Sequence, residues 1–141
     1  MCIESRKIMT KRIKIEIEND SHLLKEVSKE LINTLKEKNV SEEVIFDVHV
    51  GFEEVLRNAM IHGNQSHPKK KVKIETEITD EWVMIIVEDE GEGFDLESLP
   101  DPTVEENLLK ESGRGVYLIG HLMDEVRYEL GGRRVVMKKN F

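Results

Sequence analysis

Three polar side chains of different chemistry recur at helical spacing between Asp47 and Asn64. Glu54, Asn58 and His62 occupy positions i, i+4 and i+8, so an α-helix would stack a carboxylate, an amide and an imidazole along one line. Glu54 could then act as a general base, and Asn58 could offer an oxygen to Mg²⁺, a hard ion that needs few protein ligands. The alternative is a helix with polar residues at its solvent margin, where His62 caps the helix end.

A second candidate site is the acidic stretch Asp89-Glu90-Gly91-Glu92-Gly93, which directly follows an apolar segment. A carboxylate at the end of a buried strand, with glycines two and four residues later, favours a loop that a ligand can approach closely. Asp89 could accept a hydrogen bond from an exocyclic amine such as adenine N6. Acidic glycine turns also occur without a ligand, so this motif alone leaves both interpretations open.

A third candidate is Gly113-Arg114-Gly115, placed ahead of a short helix that we predict from Val116 to Met123. Backbone amides at a helix N-terminus bind anions, and an arginine can pair with phosphate oxygens. The simpler alternative is a structural turn with a solvated arginine. No GxxxxGK[ST] motif is present, which excludes a P-loop, and this GxG does not follow a strand as a dinucleotide fingerprint must.

The helix that positions the first motif has an apolar face next to its polar stripe. At about 100° per residue, one face comprises Val48, Phe52, Val55 and Ala59. Ser41 is the predicted N-cap, and Gly63 is predicted to end the helix in the left-handed conformation. The polar stripe therefore borders the core, where a pocket wall would lie.

Alternating apolar and charged residues predict strands before and after the helices. The predicted strands surround Ile13 to Ile17, Val72 to Ile78, Trp82 to Val87, Val126 to Leu130 and Val135 to Lys138. A further amphipathic helix is predicted from about Leu24 to Lys38, and Gly131-Gly132 indicates a hairpin. The pattern predicts an α+β two-layer sandwich, with helices on one face of a mixed, mainly antiparallel sheet.

The composition describes one highly charged domain of 141 residues, with a core over about 11–139. The net charge of -8 disfavours direct nucleic-acid binding, which needs a basic face. No apolar run is long enough to span a membrane, and charges interrupt the N-terminus where a signal peptide would be apolar. We therefore expect no membrane association and a cytoplasmic location.

Taken together, the three motifs resemble the N, G1 and G2 boxes of the Bergerat ATP-binding fold in order and spacing. The pattern is E54-x3-N58-x3-H62, then DEGEG from Asp89, then GRG from Gly113. That superfamily contains gyrase, the heat-shock chaperone ATPase, histidine kinases and mismatch-repair ATPases. Within it, the short chain and the stretch GRGVYLIGHLMDEVRYEL resemble the anti-sigma-factor serine/threonine kinases of bacterial partner-switching systems.

This resemblance implies a role for each motif residue. Glu54 would be the catalytic base and Asn58 the Mg²⁺ ligand, with His62 near the phosphates. Asp89 would contact the adenine of ATP. The remaining nucleotide-binding residues would be Gly91, Gly93, Gly113, Arg114 and Gly115, beneath a lid from about Leu96 to Ser112.

Two departures from the family pattern are visible. The related kinases often have an arginine just before the third motif, whereas here Arg114 lies inside it, which leaves open which cation reaches the γ-phosphate. Many members also have a Gly-Thr pair that supports the adenine-binding carboxylate, whereas this chain has Gly132-Arg133-Arg134. Support for Asp89 must therefore come from elsewhere.

The resemblance predicts an ATP-dependent serine/threonine kinase that phosphorylates an anti-sigma-factor antagonist and sequesters a sigma factor, with homodimerisation also implied. The alternative is a non-catalytic, ATP-gated protein-binding module of the same fold, favoured by the two departures. A third hypothesis is an α+β domain whose glycine turns have no ligand.

Overall fold

The computed structural model describes residues 10–92 and 111–141, and for residues 111–114 it describes the backbone alone. Within these ranges the elements follow one another in the order β1, α1, α2, β2, β3, α3, β4, β5. The strands are β1 (Lys11–Glu18), β2 (Lys71–Ile78), β3 (Trp82–Glu88), β4 (Glu125–Glu129) and β5 (Arg134–Asn140). The helices are α1 (Ser21–Glu37), α2 (Glu42–Asn58) and α3 (Glu111–Leu122).

The strands form one sheet in the order β1-β2-β3-β5-β4. Each neighbouring pair of described strands is antiparallel, including the hairpin of β4 and β5. The α+β prediction is confirmed; of the two kinds of pairing that it included, only the antiparallel kind occurs among the described strands. None of the described helices is long and apolar enough to cross a membrane.

The hydrophobic core lies between one face of the sheet and the helices. Alternate residues of the central strands are buried because successive side chains point to opposite faces of the sheet. The apolar face of α2 packs on them: Val48, Phe52 and Val55 are buried, as is Ala59 directly after the helix, as predicted. On the opposite sheet face, register partners such as Lys14 and Glu75 form exposed ion pairs.

Helix α2 begins as predicted but ends differently. The Ser41 hydroxyl caps it by accepting a hydrogen bond from the Val44 amide at 3.3 Å. After Asn58 the chain continues through a π-helical turn, Ala59–Gly63, closed by the Asn64 amide on the Ala59 carbonyl at 2.8 Å. The prediction of a left-handed Gly63 is wrong, because the left-handed φ angles come two residues later, at Gln65 (52°) and Ser66 (56°).

The β4–β5 connection confirms the hairpin predicted at Gly131-Gly132. Leu130, Gly131 and Gly132 have φ angles of 52°, 66° and 96°, a left-handed path that glycine adopts readily. The exposed Leu130 belongs to this turn and not to the strand. Helix α3, in contrast, extends further toward the N-terminus than predicted, so that Gly113, Arg114 and Gly115 are helical residues.

Candidate functional site

A cavity of about 210 Å³ opens between the end of α2, the end of β3, α3 and the β4–β5 turn. Its wall is mainly apolar, with a few polar groups of different kinds at its edge. The lining residues are Val55, Asn58, Ala59, His62, Gly63, Val87, Asp89, Val116, Ile119, Tyr128, Gly132, Arg133 and Val135. An apolar wall with a small number of polar groups is typical of a site for a small organic molecule.

Asp89 lies in the wall of this cavity with only 8% of its surface exposed. Its Oδ1 accepts a hydrogen bond from the Gly91 amide at 2.7 Å, and its own amide donates to the Arg133 carbonyl at 2.9 Å. Burial raises the pKa of Asp89, while the Gly91 hydrogen bond and the charge of Arg133 act in the opposite direction. In a chain without the Gly-Thr pair, the Gly91 amide thus holds the Asp89 carboxylate and the Arg133 carbonyl holds the Asp89 backbone.

Two glycines allow the Asp89 loop to pack directly on the end of α2. A Cβ atom at Gly63 would overlap the Asp89 carboxylate, and a Cβ atom at Gly91 would overlap the Gly63 carbonyl. Glycine is therefore needed at Gly63 to admit the Asp89 carboxylate and at Gly91 to let the two backbones approach closely. Gly63, which we predicted only as a helix terminator, is a site residue, and its adjacency to His62 in sequence was the available signal.

Helix α3 brings the third motif against the polar stripe of α2. A Cβ atom added to Gly115 would lie 2.7 Å from Glu54 Oε1 and 2.9 Å from Asn58 Nδ2. Glu54 is partly exposed, and its Oε2 forms an ion pair with Arg57 Nη1 at 3.0 Å. The structure therefore places Glu54, Asn58 and Gly115 together, next to the cavity that contains Asp89.

The other predicted site residues differ in how far the structure locates them. His62 lines the cavity from an exposed position at the end of the polar stripe. Gly91 is buried beside Asp89. Gly93 and residues 96–110 of the predicted lid lie outside the described residues, and of Gly113 and Arg114 only the helical backbone is described. Phosphate binding by these residues stays a prediction.

Sequence reasoning missed three residues at this site besides Gly63. Arg57 holds Glu54, and the i, i+3 spacing of opposite charges was a visible signal. Tyr128 and Arg133 line the cavity from β4 and the turn that follows it, and burial raises the pKa of Tyr128 to about 12. Their positions follow from sheet order, which neither residue type reveals.

Comparison with known proteins agrees with this geometry. Residues 17–139 match the histidine kinase-like ATPase domain. The chain belongs to the histidine kinase-like ATPase family. ATP is therefore the nucleotide that this fold uses, and the predicted resemblance to the Bergerat fold is confirmed.

Individual relatives of this family member have more specific names. The anti-sigma F factor of Clostridium novyi is 36% identical over 102 residues, which span 69% of this chain and 71% of that protein. The serine-protein kinase RsbW of Oceanobacillus iheyensis is 34% identical over 95 residues, 62% of this chain and 59% of the kinase. RsbW of Bacillus subtilis is 32% identical over 93 residues, 60% of this chain and 57% of the kinase. The match therefore spans less than two thirds of these two kinases.

We predict that Gly115→Ala impairs the site while leaving the fold intact. The three atoms nearest to the added methyl group are the flexible ends of Glu54 and Asn58, so those side chains must move. The dissociation constant for Mg²⁺-ATP, measured by titration calorimetry, should rise about tenfold, the effect of losing one good polar contact.

Gly120→Ala is the matched control, because it lies in the same helix and its added Cβ meets nothing within 4 Å. It should bind ATP like the unchanged protein and be slightly more stable, since alanine favours helices over glycine. Equal ATP affinities for the two variants would contradict the proximity of Gly115 to the polar stripe.

We further predict that Asp89→Asn stabilises the ligand-free protein as the pH rises. The folded state holds the Asp89 proton more tightly than the unfolded state does, so unfolded chains lose it first, from the ordinary value of 3.8 upward. Wild-type stability therefore falls until the raised pKa is passed, and the variant escapes this loss. The melting temperature of Asp89→Asn relative to wild type should increase between about pH 4 and about pH 7.

Glu90→Gln controls for the change in net charge, since it removes an exposed carboxylate at the next position. A melting-temperature difference between Asp89→Asn and wild type that does not vary with pH would show that burial does not perturb this carboxyl group. The ATP affinity of Asp89→Asn, measured at neutral pH, should be strongly reduced.

Proposed function

We propose that this chain is an ATP-dependent serine/threonine protein kinase that acts as an anti-sigma factor and phosphorylates an anti-sigma-factor antagonist. The observation that carries the proposal is the meeting of Glu54, Asn58 and Gly115 at the edge of the Asp89 cavity. The relatives named anti-sigma F factor and serine-protein kinase RsbW support the same activity and partner class.

The cavity accounts for recognition of the adenine base. Its apolar wall, which includes Val55, Val87 and Ile119, suits the faces of a purine ring. The Asp89 carboxylate is an acceptor and therefore favours the exocyclic amine of adenine. Guanine has a carbonyl oxygen at the corresponding position. This oxygen and the carboxylate are both acceptors and cannot form a hydrogen bond with each other, so the site should select ATP over GTP.

Asn58 is the residue that would hold Mg²⁺. Its side chain lines the cavity and lies beside Gly115 of α3, the motif proposed to meet the phosphates of the nucleotide. A single amide oxygen fits Mg²⁺, which retains several waters and binds through few protein groups plus phosphate oxygens. Among the described residues, no group of three or more His, Cys, Asp or Glu side chains could hold a metal ion. When bound, Mg²⁺ would supply positive charge at the transferring phosphate.

Glu54 is the proposed general base. Arg57 binds its Oε2, which orients the carboxylate, and Oε1 faces Gly115. Glu54 would take the proton of the antagonist's serine or threonine hydroxyl as that oxygen bonds to the γ-phosphorus. The bond from the γ-phosphorus to the bridging oxygen breaks, and ADP leaves. Arg114, at the start of α3, is the proposed cation for the γ-phosphate.

We predict that Glu54→Gln abolishes phosphotransfer but retains ATP binding. Losing a general base should reduce transfer from labelled ATP to the cognate antagonist by about a hundredfold or more, while the ATP dissociation constant changes little. Glu53→Gln is the matched control, because Glu53 contacts His49 and Ser28 on the side facing α1 and should retain transfer. Transfer by Glu54→Gln at the wild-type rate would refute the catalytic role.

The proposed partners are the antagonist protein and a sigma factor, bound by a homodimer in the cytoplasm, where RNA polymerase acts. Capture of the cognate sigma factor should require Mg²⁺-ATP and be lost in Asn58→Ala. For the homodimer, light scattering should give about twice the 16.4 kDa chain mass. Capture with no phosphotransfer by wild type would instead support an ATP-gated binding module. A monomeric mass would refute the homodimer.

A further inference from the structure

We propose that Asn64 is a positioning residue of the nucleotide pocket, whose buried amide fixes the Asp89 loop against the end of α2. Asn64 lies two residues after His62, the last residue of the predicted N-box motif. It is not among the residues that line the cavity. The inference rests on the proposed ATP site, because it assigns Asn64 a role in shaping that site.

The Asn64 side chain is fully buried and uses both ends of its amide. Its Oδ1 accepts a hydrogen bond from the Glu90 amide at 2.7 Å. Its Nδ2 donates to the Lys71 carbonyl and to Asn19 Oδ1, each at 3.0 Å. One side chain therefore joins the start of β2, the segment after β1 and the residue next to Asp89.

The bond to Glu90 restrains a contact in which two of the residues, Gly63 and Gly91, have no side chain of their own. Gly91 packs on the Gly63 carbonyl, and both glycines lie against the Asp89 carboxylate. Glycines leave such a segment with more conformational freedom than other residues would. The hydrogen bond from the Glu90 amide to Asn64 Oδ1 restricts that freedom next to Asp89, whose carboxylate must be held in place.

The backbone of Asn64 is also fixed, so the side chain has a rigid origin. Its amide closes the π-helical turn on Ala59 at 2.8 Å, and its carbonyl accepts from the His67 amide at 3.0 Å. Asn64 thereby fixes the position of Glu90 relative to α2, the helix that contains Glu54 and Asn58. We infer that Asn64 sets the distance between the base-binding carboxylate and the polar stripe.

Asn19 provides a matched control for this role. It shares the network, since it accepts from Asn64 and its Nδ2 donates to the His67 carbonyl at 2.8 Å. Asn19→Ala removes hydrogen bonds on the side remote from the cavity and leaves the Asn64 bond to Glu90 in place. If the network only stabilised the fold, Asn19→Ala and Asn64→Ala would differ in stability but would have the same KM for ATP.

The first measurement is amide hydrogen exchange of the ligand-free protein by NMR. The Glu90 amide should be protected in wild type, exchange about tenfold faster or more in Asn64→Ala, and stay protected in Asn19→Ala. A Glu90 amide that is unprotected in wild type would overturn the proposal without any variant having to fold.

The second measurement separates positioning from stability. At a temperature where circular dichroism shows both variants folded, Asn64→Ala should raise the KM for ATP about tenfold and leave kcat within about twofold. Asn19→Ala should change neither. Asn64→Asp, which keeps the acceptor for Glu90, should protect that amide better than Asn64→Ala does. Equal KM values for Asn64→Ala and Asn19→Ala would refute the proposal.

Failure of this proposal and failure of the kinase assignment give different results. If wild type neither binds nor turns over ATP, the proposed function fails, yet the exchange of the Glu90 amide still reports whether Asn64 fixes the loop. If wild type is an active kinase and Asn64→Ala has a normal KM with a fast-exchanging Glu90 amide, the function stands and the positioning role of Asn64 is refuted.

Discussion

The structure of the site depends on burying the Asp89 carboxylate where two chain segments meet. A carboxylate loses hydration on burial, and that cost is tolerated only when hydrogen bonds replace some of the lost water. Here the Gly91 amide provides one such bond, and close packing on Gly63 excludes solvent. The result is a strong acceptor in an apolar wall, which an uncharged side chain could not provide.

Helix α2 connects the fold to the site because one of its faces packs into the core and a neighbouring face contains site residues. Its apolar face, which includes Phe52 and Leu56, packs into the core and fixes the helix relative to the sheet. Its polar stripe lies at the margin of that packing, where Glu54 and Asn58 keep access to solvent and to α3. Gly51 is buried on the same helix, and a Cβ there would contact Met123 at 3.3 Å, so a small residue lets the chain after α3 approach closely.

Much of this arrangement could be predicted from sequence because it follows from local periodicity. The alternation in β2 and the stripe from Val48 to Ala59 are each decided by burial of one face. The Ser41 cap follows from side-chain chemistry at a helix start. Gly63 was misinterpreted because a glycine after a helix has two possible reasons, backbone conformation or close approach, and only the position of Asp89 decides between them. Tyr128 and Arg133 could not be predicted, since sheet order places them at the cavity.

The π-helical turn from Ala59 to Gly63 makes the pocket sensitive to chain length as well as to residue type. A π-turn contains one residue more than the α-helical turn it replaces, so the chain leaves α2 in a different direction. Deleting one residue here would restore regular α-helix, but it would remove His62 or Gly63 or shorten the spacing between Asn58 and His62. Asn64 would then be rotated away from Glu90, and Gly63 away from Asp89. The number of residues in this turn, and not their types alone, therefore decides whether the end of α2 meets the Asp89 loop.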